Sequence, residues 1–347
     1  MIAASNDIIL VTGGAGFIGT HVVEGLLGRG FNNIRVFVRP TTDCTNLNDV
    51  VQRHRCNVDI FRGSLLSKDD CVAATIGASI VYHLAAARGV KAPSEAFLNT
   101  VVTTRNLLEA IHQQNSVRRF VTVSSFAVYS NADHSASNVL DETSTVDKEA
   151  HRRGDAYSFA KIKQEQIVRD CASRFGIPYV IVRPGVVYGP GNEAITGRVG
   201  IGTFGLFLHL GGTNRIPFTY VENCADAIVL AGLEEGVDGE AFNVLDDESI
   251  TSREFLRLYK RNVRRFTSLY LPGVVSYLLC YLWEKYSSWS QGQLPPAFNR
   301  ALWHAYWKRT RYTNEKLKTR LGWRPRIAAR AALDLYFESC RKRQKVA

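Results

Sequence analysis

The tightest constraint on the fold lies near the start of the chain, where Thr12-Gly-Gly-Ala-Gly-Phe-Ile-Gly19 joins a short apolar run, 8–12, to a segment with apolar residues at helical spacing, 17–27. The pattern reads as strand, tight turn and helix, with Gly13, Gly16 and Gly19 at G-x-x-G-x-x-G spacing. With no side chains there, backbone N–H groups and the helix N-terminus can approach a pyrophosphate, and Gly19 lets helix and sheet pack closely. Glycines alone can be turn chemistry. Their place directly after the first strand is what points to a nucleotide.

The alternation continues. Short β-rich runs at 34–38, 58–61, 80–84, 120–123 and 179–182 are separated by helix-compatible segments such as 94–112 and 157–175. Strands that are continuously apolar imply a parallel sheet covered on both faces, so the expected class is α/β: a doubly wound parallel-sheet Rossmann fold with a smaller C-terminal substrate-binding part. Residues 1–189 form the expected dinucleotide-binding domain. Residues 219–221 and 224–233 look like one more strand and helix, so 218–236 is expected to return to that domain. Residues 190–217 and 237–347 are expected to build the substrate part.

Composition narrows the function classes. The 347 residues are 46% hydrophobic and 22% charged, which is globular and needs no staple. Seven scattered cysteines with no C-x-x-C pair indicate neither a disulfide framework nor a thiolate zinc site, and no other metal-ligand spacing occurs. Together with the absence of a cationic, apolar leader after Met1, this leads to an expected cytoplasmic location. The net charge of +11 divides into −5 over residues 1–250 and +16 over 251–347. No nucleic-acid module accompanies that basic end, which is read either as a solvated face or as one that meets an acidic partner.

At the end of the second strand, where a carboxylate would bond the ribose of NAD, the chain has Val38-Arg39-Pro40. An arginine there suits a 2′-phosphate, so NADP is expected over NAD, with a strand-end surface arginine as the plainer alternative. Tyr157 and Lys161 stand four apart on an expected helix, on one face. A phenol with a pKa of about 10 acts as a base near neutrality only when a cation favours its phenolate, and a lysine supplies one. Spacing alone proves little: about 0.5 such pairs are expected by chance and the chain holds three. Tyr281/Lys285 and Tyr312/Lys316 follow no strand-end serines and are read as surface or interface helix residues. Tyr157/Lys161 follows a strand ending in Ser124-Ser125, at the sheet edge where such folds bind ligands.

These motifs, with Tyr82-His-Leu-Ala-Ala86, the segment opening at Asn99, Val123-Ser-Ser-Phe-Ala-Val-Tyr129, Arg183-Pro-Gly-Val-Val-Tyr-Gly-Pro190, Tyr220-Val-Glu-Asn-Cys-Ala-Asp-Ala227 and Leu321-Gly-Trp-Arg-Pro325, resemble the extended short-chain dehydrogenase/reductase (NAD-dependent epimerase/dehydratase) family over nearly the whole chain. The resemblance implies an NAD(P)-dependent dehydrogenase/reductase or epimerase, with Ser125 holding the reacting oxygen, Tyr157 moving its proton and Lys161 supporting both the phenolate and the nicotinamide ribose. It implies cofactor contacts from Gly13, Gly16, Phe17, Ile18, Gly19, Arg39, Ser64, Leu84, Ala85, Ala86, Asn99, Ser124, Tyr157, Lys161, Pro184, Val186 and Val187. Two-helix homodimers are common in that family. Ser64 departs from the family's usual Asp near the adenine and can still donate or accept. Asn99 is read either as a brace for the catalytic helix or as an ordinary helix-start asparagine, and His83 as a packing or locally bonded residue. Neither serine sits in a G-x-S-x-G elbow, which removes Ser-His-Asp hydrolysis.

The branch is less constrained. Sugar dehydratases of the family place an acidic pair where this chain has Phe126 and Ala127, and many sugar epimerases carry Arg-Asp where it has Ile216-Pro217. Arg198 and Arg215 could meet a diphosphate or stand exposed. Residues 266–283 carry no charge and are divided by Pro272-Gly273, with Lys260, Arg261, Arg264, Arg265 and Lys285 at the flanks. They are read as a buried helix lining an apolar pocket, or as one lying on a bilayer surface and giving the enzyme peripheral membrane contact, with Tyr270, Tyr277, Tyr281 and Trp283 as interface residues. This segment resembles the 3β-hydroxysteroid dehydrogenase-like branch. It leans the expectation to oxidoreduction of a secondary alcohol or ketone, steroid- or lipid-like, ahead of nucleotide-sugar epimerisation and of an inactive dinucleotide-binding regulator.

Overall fold

The apolar runs pair as a seven-stranded parallel sheet in a computed structural model that describes all residues except 88–91, 133–138, 204, 292, 295–297 and 347. Its strands are β1 (Ile8–Thr12), β2 (Ile34–Val38), β3 (Val58–Arg62), β4 (Ala78–His83), β5 (Arg119–Val123), β6 (Tyr179–Pro184) and β7 (Ala241–Val244). Their order across the sheet is β7-β6-β5-β4-β1-β2-β3. The direction of winding reverses at β1, between β4 and β2, which is where a doubly wound sheet leaves a crevice beyond its carboxyl ends.

Each face is covered because the central strands are apolar on both sides. Val22, Leu26 and Ile228 pack with Ile9, Val11 and Tyr82 on one face, and Leu107, Ile111 and Val168 with Leu10, Val81 and Phe120 on the other. The Val221–Leu233 helix lies so close that a Cβ on Gly232 would stand 2.1 Å from the Tyr82 hydroxyl, which donates to Val229 O at 2.9 Å. Leu317, Leu321 and Trp323 join the first of these cores, so the end of the chain returns to the sheet.

Two expectations are corrected. The strand near 219–221 is Phe218–Tyr220, and it pairs with Val186–Tyr188 outside the main sheet. The chain bends there: a Cβ on Gly185 would lie 2.1 Å from Pro217 O, a contact only glycine permits. The seventh strand comes instead from Ala241–Val244, which the sequence reading left with the substrate part; it is short, and its Asn243 is buried against the Tyr129 hydroxyl. An aromatic core of Tyr188, Phe218, Phe255, Tyr259, Tyr336 and Phe337 holds the C-terminal segments together.

The helix Ala156–Phe175 is locked to the sheet by a buried ion pair: Arg183 on β6 donates to Glu165 at 2.8 and 2.6 Å. Removing one partner leaves the other charge buried. Arg183→Met is therefore expected to lower stability by about 3–5 kcal/mol, measured by urea unfolding.

Candidate active site

A cleft of about 910 Å³ opens at the carboxyl ends of β1, β4, β5 and β6. Its floor is bare backbone. Gly13 holds φ +71°, and a Cβ there would lie 2.9 Å from Ala85 N; a Cβ on Gly19 would lie 2.1 Å from Gly13 O. The helix Phe17–Leu27 starts at Gly16 with no side-chain cap and no acidic residue in its first turn, so its first N–H groups and positive dipole end meet the cleft unopposed. These features fit a dinucleotide pyrophosphate.

Every residue that the sequence assigned to catalysis or to cofactor contact lines this one cleft. Leu84, Ala85 and Ala86 follow β4, Ser124 and Ser125 follow β5, and Pro184, Val186 and Val187 border β6. Arg39 is exposed at the rim and forms no ion pair with a described residue. The Ser64 N–H donates to Asp70 Oδ2 at 2.7 Å, so a carboxylate is held beside Ser64 from a neighbouring position. Asn99 does not start a helix, as one reading expected. It sits in a π turn, Leu98–Val102, within a continuous helical run, and its amide donates back to Glu95 O at 3.1 Å. Such turns are frequent at functional sites.

The two serines separate cleanly. The buried Ser124 hydroxyl donates to Glu165 Oε1 at 2.6 Å. Ser125 caps a short 3-10 turn, its Oγ accepting from Ala127 N–H at 3.2 Å, and stays half-buried on the cleft. Asp155 caps the next helix by accepting from the Tyr157 N–H at 3.0 Å, which fixes the turn that carries Tyr157. Asp155, Tyr157 and Tyr306 all line the cleft.

Lys161 is fully buried. Its Nζ donates to Val123 O at 2.7 Å and Gln164 Oε1 at 2.9 Å, leaving one N–H of the ammonium. Burial pushes its pKa down to about 7, against the opposing pull of Glu165. Gln164 donates to Thr104 Oγ1 at 2.9 Å, and Thr104 gives its own O–H to Thr100 O. His83 Nε2, 2.9 Å from Thr104 Oγ1, must then carry the ring proton, while Nδ1 accepts from Thr12 at 2.7 Å. Burial, aided by the Lys161 charge, pushes His83 down to about 3, so it is a neutral strut.

The other tyrosine–lysine pairs lie off the cleft. Lys285 and Arg300 stack over Tyr281. Tyr312, expected on a helix, is in a two-residue strand and accepts from Arg198, while Lys316 pairs with Glu240. Arg198 is spent on Ala305 O, Tyr312 and the Tyr306 ring, and Arg215 on Ser249. Among the described lining residues the cations are Arg39 and Lys161.

Sequence reasoning missed the outer wall: Phe255, Tyr306 and Tyr336 reach the cleft from far along the chain, and no local pattern marks them. Asp155 was findable, as an N-cap residue directly before a helical run. No residue of 266–283 lines the cleft, which overturns the pocket-helix reading; the segment forms the strand Ser268–Tyr270 and much of the helix Gly273–Trp289 elsewhere.

Comparison with known proteins places residues 9–244 within the NAD dependent epimerase/dehydratase family, and the chain belongs to that family. The trifunctional UDP-glucose 4,6-dehydratase/UDP-4-keto-6-deoxy-D-glucose 3,5-epimerase/UDP-4-keto-L-rhamnose-reductase of Arabidopsis thaliana is 29% identical over 68% of this chain, a match that spans only 36% of that longer protein. The sterol-4-alpha-carboxylate 3-dehydrogenase, decarboxylating, of Mus musculus is 25% identical over 95% of this chain and 90% of its own length. The structure of UDP-glucuronic acid 4-epimerase from Bacillus cereus, in complex with UDP-glucuronic acid and NAD, has the same fold, with a TM-score of 0.71 at 22% identity over 96% of this chain and 99% of that one.

Proposed function

We propose that this member of the family is an NAD(P)-dependent oxidoreductase of a secondary alcohol or ketone, with an apolar, steroid- or lipid-like substrate. The observation that carries this reading is the outer wall of the cleft. Ile195, Phe218, Phe255, Tyr306 and Tyr336 line it, and no described cation is free there for a substrate diphosphate. The extent of the sterol dehydrogenase match, which covers 95% of this chain against 68% for the Arabidopsis one, supports it.

A bound nicotinamide dinucleotide supplies the hydride acceptor or, in reduction, the donor. Tyr157 Oη takes the proton from the substrate hydroxyl, and Ser125 Oγ holds that oxygen. Lys161, protonated, favours the Tyr157 phenolate through its charge and offers its remaining N–H to the ribose. Gly13, Gly16, Phe17, Ile18 and Gly19 hold the pyrophosphate, and Leu84, Ala85, Ala86, Asn99, Ser124, Pro184, Val186 and Val187 shape the rest of the cofactor channel. Ser64 takes the adenine end. The Rossmann body is residues 1–189 with 218–236, joined by the β7 strand and by Leu317, Leu321 and Trp323, and the remainder is the substrate part.

Epimerisation by the same three residues is the second reading, favoured by the cofactor-bound epimerase that shares this fold. Product analysis by mass spectrometry separates them: net dinucleotide turnover is expected, and isomerised substrate with unchanged cofactor would replace the first reading by the second. Dehydration is less well supported: where the family's dehydratases place their acidic pair, Phe126 is buried against Tyr129 and Tyr312 and Ala127 does not titrate.

Arg39 is assigned to a 2′-phosphate. Calorimetry is expected to show Arg39→Ala losing NADP affinity roughly 10- to 100-fold, the scale of a charge-assisted hydrogen bond, with NAD affinity little changed. Equal NADP affinity in both proteins would remove Arg39 from the site.

A further inference from the structure

The helix Gly273–Trp289 is built inside out. Three of its small residues face the protein: Ser276, Cys280 and Ser287 are 3%, 4% and 6% exposed. Its aliphatic residues and Trp289 face outward, with Val274, Leu278, Leu282 and Trp289 at 83%, 54%, 53% and 78% exposure. Residues 274, 278 and 282 repeat every four positions, and Val275, Leu279 and Tyr286 widen them into one stripe, where a helix of a water-soluble protein would carry its polar face.

The helix is docked, so the exposure is not that of an unpacked segment. Trp303 Nε1 donates to Ser276 Oγ at 2.9 Å, Ser287 Oγ donates to Leu294 O at 2.7 Å, and Arg300 pairs with Glu284 at 2.9 Å. Tyr277 and Trp283, expected to be interface residues, pack inward on Trp303 and Phe298. The preceding strand extends the apolar face with exposed Leu269 and Tyr270, and the Arg253 guanidinium lies over the Tyr270 ring.

The segment that carries this face is charged almost wholly with one sign. Between residues 255 and 309 the chain has nine Lys and Arg and a single carboxylate, Glu284, which Arg300 neutralises. Arg261, Arg264, Arg265, Lys285 and Arg309 are exposed. A second copy seated face to face would oppose two positive surfaces. A surface that is both apolar and anionic answers both features. No described helix is long and apolar enough to cross a membrane, and the buried Trp323 holds the later chain on the sheet.

We propose that this face seats the protein on an anionic lipid bilayer, with the 273–289 helix lying in the interface, its stripe in the acyl boundary and the surrounding arginines and lysines at the phosphates. The seat does not depend on which reaction the cleft performs. The test is co-sedimentation of the full chain with phosphatidylcholine vesicles, with and without one-third phosphatidylglycerol. Binding to the anionic vesicles is expected, rising with phosphatidylglycerol and falling with salt. Leu278→Asp/Leu282→Asp is expected to weaken it at least about tenfold, and Arg264→Glu/Arg265→Glu to weaken it with the apolar stripe intact. Circular dichroism checks that each variant is folded. Failure of the native protein to bind at low salt would overturn the proposal, as would unchanged binding by the folded Leu278→Asp/Leu282→Asp variant. A dimer in light scattering that this variant dissolves, with no vesicle binding, would give the face to a second copy and overturn it equally.

Discussion

Tyr157→Phe is expected to lower turnover at least about 10²-fold while leaving dinucleotide affinity nearly intact, because it removes one hydroxyl from the reacting centre and nothing from the glycine floor. The helix start that carries it does not depend on the hydroxyl: Asp155 caps through the Tyr157 backbone N–H. Single-turnover rates and cofactor titration on the same preparation make the comparison. Tyr281→Phe and Tyr312→Phe supply the control, since both rings lie off the cleft and should leave the rate unchanged. Native turnover in Tyr157→Phe with the natural substrate would remove the assignment.

Gly19→Ala is expected to be the most damaging small substitution in the cofactor floor. Its Cβ would sit 2.1 Å from Gly13 O and 2.7 Å from Gly14 Cα, both backbone atoms that cannot step aside without moving the turn or the helix. Forcing a methyl into such a contact costs about 1–3 kcal/mol or more, and the displaced N–H groups are those aimed at the pyrophosphate. Dinucleotide affinity should fall at least about tenfold in calorimetry. Gly202→Ala is the matched control, because no atom lies within 4 Å of the Cβ it would add; it should bind the dinucleotide as the native protein does.

Much of this architecture can be read from the sequence for a physical reason. A parallel sheet buried on both faces makes its strands mostly apolar, and six of the seven stand out as short β-rich runs, the edge strand β3 least of all with its Asp59 and Arg62. The seventh, Ala241–Val244, does not: it is short, and its buried Asn243 is made tolerable by the Tyr129 hydroxyl, a partner far away in sequence. The glycine floor, Ser125, Tyr157 and Lys161 sit on local motifs, whereas Tyr306 and Tyr336 reach the same cleft through tertiary packing alone. The uncharged run at 266–283 is visible as composition. Which face of its helix turns outward depends on Ser276 meeting Trp303 and Glu284 meeting Arg300, and spacing cannot reveal that.

The position of β1 in the middle of the sheet also bears on how the chain is made. β1 precedes the other six strands of the sheet in the chain, yet one of its edges waits for Ala78–His83, and β6 waits for Ala241–Val244. Trp323, which closes the core beneath the Val221–Leu233 helix, emerges later still. Pairings of such separation must pay for loop closure before they gain contacts, which makes folding slow and leaves apolar strand edges open during synthesis. A nascent chain that ends near residue 189 has its glycine floor and its tyrosine–lysine pair but an unpaired β6 edge. That edge is a template for pairing with other chains until Ala241–Val244 arrives to cover it.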